Sequence, residues 1–216
     1  MGIITKEMQE NMSPRVAYDL LVDGNKRFVS NVTKRRDLLM LASETSTSQY
    51  PFAITLSCID SRTSMELIFD QGIGHIFSAR VAGNVVSEDM LGSIEFACKL
   101  AGSKLIVVLG HTSCGAIKGA CDNTKLGNLT GLLEKIKPAV NAEKTVAKDR
   151  DSSNKDFVEK VTNINVSLTV KEILAQSPIL KEMIDKGEVG IVGGVHDLAT
   201  GEVHFHNDTM VLNEMS

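Results

Sequence analysis

Cys58 closes a short apolar run, FAITLSC at 52–58. His111 follows a second run, KLIVVLG at 104–110, and Cys114 stands in the turn after it. Such nearly continuous apolar runs read as strands covered on both faces, and in an open α/β sheet functional groups gather beyond the carboxyl ends of the strands. Cys58, His111 and Cys114 are therefore expected to converge. Two thiolates and an imidazole suit tetrahedral Zn(II), and three protein ligands leave a fourth position for water, the arrangement of catalytic zinc sites. Cys114 is also expected in the first turn of a helix, where the dipole and unpaired N–H groups favour a thiolate. A lone Cys or His in such a place is most simply a buried core residue, but three ligand types at two adjacent strand ends favour a metal. Asp60 and Arg62 flank the first ligand. A carboxylate beside a guanidinium stays ionised and only accepts hydrogen bonds, so the pair can orient a zinc-bound hydroxide, which donates. The alternative is a solvated surface ion pair.

Strands alternating with helices must position these residues. Ser13 and Pro14 read as the N-cap and first position of an amphipathic helix carrying Val16, Leu20, Leu21 and Phe28. A second helical stretch, roughly 36–43, runs into the Ser/Thr-rich loop ETSTSQYP. After the strand at 52–58, residues 64–70 look helical, and HIFSARV supplies a strand. Ser87, Glu88 and Asp89 start a helix that Gly102 ends. Past the strand at 104–110, a helix is expected near Ser113 or Cys114. A mostly helical, charged region follows over about 129–186, interrupted at Pro138 and Pro178. EVGIVGGVHDL and EVHFH, joined through Thr200 and Gly201, form a closing hairpin. The pattern predicts an α/β fold: one domain spanning 1–216, with a helical arm at 1–48 and a catalytic core at 49–216. Its sheet is mainly parallel with an antiparallel last strand.

The chain has 216 residues, 43% hydrophobic and 23% charged, enough for one substantial core and incompatible with disorder. Lys and Arg number 23 against 27 Asp and Glu, for a net charge of −4, so nucleic acid is not an expected partner. No run has the length of a membrane span and the first residues lack a secretory pattern, so a cytoplasmic protein without membrane association is expected. In a reducing cytosol its 4 cysteines are buried, catalytic or metal-bound rather than disulfide-bonded.

CIDSR at 58–62, RVAGN at 80–84 and GHTSCG at 110–115 resemble the signature segments of the β-class carbonic anhydrases. The resemblance continues in GNKRF at 24–28, GSIEFA at 92–97 and DLATGEV at 197–203, and so covers most of the chain in order. It implies reversible hydration of CO2 to bicarbonate, one Zn(II) per chain on Cys58, His111 and Cys114, and Asp60 with Arg62 as catalytic dyad. It also implies substrate-pocket roles for Gln49, Phe77, Ala82, Phe96 and the Gly115 backbone N–H. In the family the pocket is completed across a subunit boundary, so a homodimer or dimer of dimers is implied. The chain departs from the pattern at Val81 (commonly Asn), Ala116 (Gly), Phe96 (often Tyr) and His196 (commonly Tyr). It has no Trp, and Thr55 stands where the family's bicarbonate-inhibited subtype has one.

Three other readings stay open at this level: hydrolysis of a CO2 analogue such as carbonyl sulfide or carbon disulfide, a noncatalytic zinc-stabilised binding protein, and a reactive-cysteine redox enzyme. The last is weakened by the lack of a C-x-x-C spacing. Cys98 and Cys121 read as core, His204 and His206 as a solvated edge, and the charged stretch at 143–160 as a solvated helical face or loop. His75 opens a strand with no assigned role.

Overall fold

In the computed structural model, which describes residues 2–213, the apolar runs pair into one five-stranded sheet of order β2-β1-β3-β4-β5. The strands are β1 (Ala53–Ser57), β2 (Ile76–Arg80), β3 (Leu105–His111), β4 (Gly190–His196) and β5 (Val203–Phe205). β1, β2, β3 and β4 are mutually parallel, and β5 returns antiparallel to β4, as the hairpin predicts. Every residue of β1, β3 and β4 is buried, because helices cover both faces.

The helices are α1 (Lys6–Glu10), α2 (Pro14–Val29), α3 (Leu38–Glu44), α4 (Met65–Ile68), α5 (Glu88–Glu95), α6 (Gly115–Cys121), α7 (Gly127–Glu134), α8 (Lys137–Ala142), α9 (Lys155–Gln176) and α10 (Pro178–Asp185). On one face of the sheet, Ile54, Leu56, Ile106, Val108 and Ile191 pack with Val166, Val170 and Ile173 of α9. On the other, Ala53, Leu105, Val107 and Val192 pack with Ala17 and Leu21 of α2 and Met65 of α4. α9 lies so close that a Cβ at Gly110 would stand 2.8 Å from Val166 Cγ2, and one at Gly193 2.7 Å from Val166 Cγ1. A third cluster, built by α6, α7, α8 and the start of α9, caps the carboxyl ends of the strands and includes Cys58, Cys114 and Cys121.

Local chemistry explains most boundaries. Ser13 Oγ accepts from Val16 N at the start of α2, Asp37 caps α3, and Ser87 caps α5. Two details differ from the sequence expectation. α1 was not anticipated; Thr5 caps it. α5 does not run directly to Gly102 but widens into a π turn over Phe96–Leu100. Pro138 and Pro178 mark interruptions as expected: α7 ends at Glu134 and α9 at Gln176, and each proline sits in the first turn of the helix that follows, where a missing N–H has no partner to lose. The longest break in the 129–186 region falls at 143–154. There Glu143, 2% exposed, accepts from Thr145 N and Oγ1, Val146 N and Arg150 Nη1. The charged stretch is thus an exposed loop, one of its two readings, that runs into the start of α9 and is organised around a buried carboxylate at its own start.

Candidate metal centre

β1 ends at Ser57, so Cys58 is the first residue past the strand, and His111 is the last residue of the neighbouring β3. The chain then turns through Thr112 and Ser113, with Ser113 in the left-handed region at φ 59°, and Cys114 caps α6. Thr112 anchors this turn twice: its N–H donates to the His196 carbonyl at 3.0 Å, and Leu198 N–H donates to its Oγ1 at 3.0 Å.

The convergence read from the sequence is what the fold produces. Cys58, His111 and Cys114 are buried, and one ligand atom from each lies within 4.8 Å of the others. The two Sγ atoms are 3.9 Å apart. Two sulfurs each about 2.3 Å from one zinc at the tetrahedral angle stand about 3.8 Å apart, so the spacing fits. His111 Nδ1 pairs with the Thr112 carbonyl at 2.9 Å, which makes Nδ1 the donor and leaves Nε2 as a lone pair. Nε2 is buried with no partner among the described residues, as a metal-ligating nitrogen should be. Donor set, spacing and the orphaned Nε2 all fit zinc.

Behind the first ligand, the Gly83 N–H donates to Cys58 Sγ at 3.4 Å. Gly83 lies in a 3₁₀ turn, Ala82–Asn84, at φ 69°, a conformation that glycine adopts without strain. Asn165 of α9 holds this turn by donating to the Gly83 carbonyl at 2.9 Å.

As thiols alone, the two cysteines behave as a pair. The hydrogen bond from Cys114, with help from His111 and Gly83, overcomes burial and brings Cys58 down to about 4. Cys114 is pushed up, because a second thiolate beside the first and buried is disfavoured. The N–H groups of Ala116 and Ile117 do favour its anion, but the Cys58 sulfur outweighs them. A divalent cation resolves the conflict, since a coordinating thiol is deprotonated outright.

Asp60 and Arg62 form a two-pronged pair: Arg62 Nε donates to Oδ1 at 2.9 Å and Nη2 to Oδ2 at 2.8 Å, with the Arg62 N–H on Oδ1 at 3.0 Å. These bonds hold the Asp60 carboxyl well below the usual carboxylate range. Its Oδ2 is 3.9 Å from His111 Nε2, so the carboxylate faces the ligand cluster and not only solvent.

Of the expected pocket residues, Gly115 follows Cys114 at the start of α6 and Ala82 opens the turn that carries Gly83. Phe77 and Phe96 lie elsewhere. Their rings meet edge to face at 6.3 Å in a groove of about 720 Å³ along the edge strand β2 and α5, lined also by Ile54, Ala79 and Met90 but by none of the three ligands. Gln49 is exposed in the loop before β1. Asn165 carries no sequence signal, although the glycine of RVAGN hints that backbone approaches closely there. His196, noted as a departure, is buried beside His111 in the β3–β4 register. Neither ring nitrogen has a partner among the described residues, and burial brings its pKa down to about 4.

The family model described as carbonic anhydrase matches residues 53–203, from β1 to β5. Carbonic anhydrase 2 of Mycobacterium tuberculosis is 35% identical over 88% of this chain and 92% of its own length. The carbonic anhydrase of Mycolicibacterium smegmatis is 33% identical over 91% and 95%. Among solved structures, the β-carbonic anhydrase CcaA superposes with a TM-score of 0.71 at 21% identity, covering 91% of this chain and 92% of that one. The Coccomyxa β-carbonic anhydrase gives 0.67 at 25%, covering 88% and 81%. Matched from its first strand to its last, with the same sheet and curated relatives along nearly its whole length, the chain belongs to the β-class carbonic anhydrases.

Proposed function

We propose that this enzyme hydrates CO2 reversibly to bicarbonate and a proton, with one zinc per chain held by Cys58, His111 and Cys114. The observation that carries the reading is the Asp60 carboxylate, fixed by Arg62 and turned toward the ligand cluster, since a purely structural zinc site has no use for such a pair. Zinc bound there supplies a water acidified toward a pKa of about 7 and a Lewis acid beside it. Asp60, kept ionised, accepts the hydrogen bond that orients the nucleophilic oxygen, and Arg62 keeps the carboxylate from turning away. The Gly83 and Thr112 bonds hold a ligand each in place before substrate arrives.

A second copy of the chain completes the pocket in this proposal. Phe77 and Phe96 line an apolar groove on the open sheet edge at β2, apart from the ligands of their own chain, and are suited to face the site of a partner. A solved neighbour from Sordaria macrospora is described as tetrameric. The proposed assembly is a homodimer or a dimer of dimers, which sedimentation velocity distinguishes from a monomer. A cytoplasmic location accords with four free cysteines. No helix among the described residues is long and apolar enough to cross a membrane.

Stopped-flow hydration of CO2 by zinc-loaded protein, run beside carbonyl sulfide and carbon disulfide hydrolysis, tests the substrate. Turnover of CO2 with little hydrolysis of either analogue supports the proposal; the reverse preference replaces it with an analogue hydrolase.

A further inference from the structure

Arg80 closes β2 opposite Ser57, and its side chain turns onto the segment that carries both the first ligand and the dyad acid. Its Nε donates to the Cys58 carbonyl at 3.0 Å and its Nη2 to the Asp60 carbonyl at 2.6 Å. Thr63, buried, closes the same turn: its N–H and Oγ1 donate to the Asp60 carbonyl at 3.0 and 2.9 Å. The two carbonyls flank Ile59, so one planar guanidinium fork spans the backbone between a ligand and the dyad acid. A lysine ammonium cannot reproduce that two-point grip.

Asp60 has two competing destinations. Its carboxylate sits on Arg62, yet Oδ2 is 3.9 Å from His111 Nε2, and a carboxylate oxygen is itself a competent zinc donor. The Arg62 side chain is 58% exposed, and an ion pair so open to solvent is a weak restraint by itself. The firmer restraint is on the backbone, where Arg80 and Thr63 fix the direction in which the residue 60 side chain leaves the chain.

We propose that Arg80 is a positioning residue: by gripping the carbonyls of Cys58 and Asp60 it keeps the Asp60 carboxylate on Arg62 and out of the metal's coordination shell. The inference rests on the zinc reading above. It assigns Arg80 no contact with substrate.

The test compares Arg80→Met, Arg80→Lys and the double variant Arg80→Met with Asp60→Asn, each loaded with Co(II) and read by visible absorption, beside CO2 hydration of the zinc forms. Arg80→Met should bind one Co(II) per chain with a spectrum altered from wild type. Adding Asp60→Asn should abolish that alteration, because an amide is a poor substitute ligand. Turnover should fall about 10- to 100-fold in Arg80→Met, with KM changing less, and Arg80→Lys should lie between it and wild type. Should Arg80→Met not fold, Arg80→Lys carries the same spectral comparison. A Co(II) spectrum unchanged by loss of Arg80, or changed regardless of residue 60, overturns the proposal and leaves Arg80 a merely structural residue. The Asp60-dependent shift in Co(II)-loaded Arg80→Met, together with no CO2 hydration by zinc-loaded wild type, would sink the enzymatic reading while upholding the role of Arg80. Failure to bind Co(II) at all would sink both.

Discussion

Asn165, in the middle of α9, donates its side-chain amide to the carbonyl of Gly83, 82 residues earlier, and the N–H of the same glycine donates to Cys58 Sγ. The helix that covers the sheet thereby reaches the first metal ligand through a single residue. Asn165→Ala leaves the Gly83 carbonyl buried without its donor, which costs about 1–3 kcal/mol. Zinc affinity, measured by chelator competition, should drop about 10- to 100-fold. A lowered melting temperature with unchanged zinc affinity would show that the helix supports the fold and not the ligand.

Gly83 is the tightest point of that path. At φ 69°, a Cβ there would stand 2.7 Å from Ile136 Cδ1 and 3.2 Å from Ala116 Cβ. Gly83→Ala should destabilise by about 1–3 kcal/mol through backbone strain, with steric overlap in addition. Ile136→Val removes the offending Cδ1. Urea denaturation of the double variant should therefore show less destabilisation than the sum of the two singles, and simple additivity would contradict the assigned clash.

Replacement within the dyad separates metal binding from turnover. Asp60→Asn presents an N–H where an acceptor is needed, and Arg62→Ala frees the carboxylate. Both should keep one zinc per chain by metal analysis while losing roughly 100-fold or more of CO2 hydration. Near wild-type rates in both, with zinc bound, would remove Asp60 from the mechanism.

Asp70 provides one pH-dependent contribution to stability. It is buried between Arg27 and Arg36, whose charges and hydrogen bonds outweigh the burial that opposes ionisation, so its folded pKa is lowered. A lowered carboxylate pKa means the unfolded chain binds the proton more readily, so the stabilisation is full above the ordinary Asp pKa, about 3.9, and is lost as pH falls through the folded value. Asp70 has φ 45°, which asparagine also tolerates, so Asp70→Asn removes the charge with little backbone penalty. It should cost about 3–5 kcal/mol at pH 7, and the gap from wild type should close as the medium becomes strongly acidic. A pH-independent gap in thermal unfolding would assign the loss to packing.

How far the sequence could be read depended on how local the determinants are. Cys58 and His111 were legible because each ends an apolar run at a place where strand ends meet, and the α/β order followed from period and caps. Pro138 and Pro178 were legible as breaks because proline is tolerated in the first turn of a helix and not in its interior, and each opens a new helix. Glu143 and Asp70 look like surface charges in any count of charged residues. Their burial depends on Arg150, Arg27 and Arg36, brought to them by the fold. Asn165 and Arg80 act through backbone carbonyls, which have no residue identity to recognise. Phe77 and Phe96 were expected at the pocket from family resemblance, and the single chain places them in the groove along β2.

The most direct measurement is a zinc titration of chelator-stripped protein, followed by stopped-flow CO2 hydration. Activity should rise linearly with added zinc and break sharply at one equivalent per chain, while Cys58→Ser and Cys114→Ser give neither tight binding nor the break. Zinc bound at one equivalent without hydration above the buffer rate, or full hydration in either cysteine variant, would contradict a catalytic centre at Cys58, His111 and Cys114.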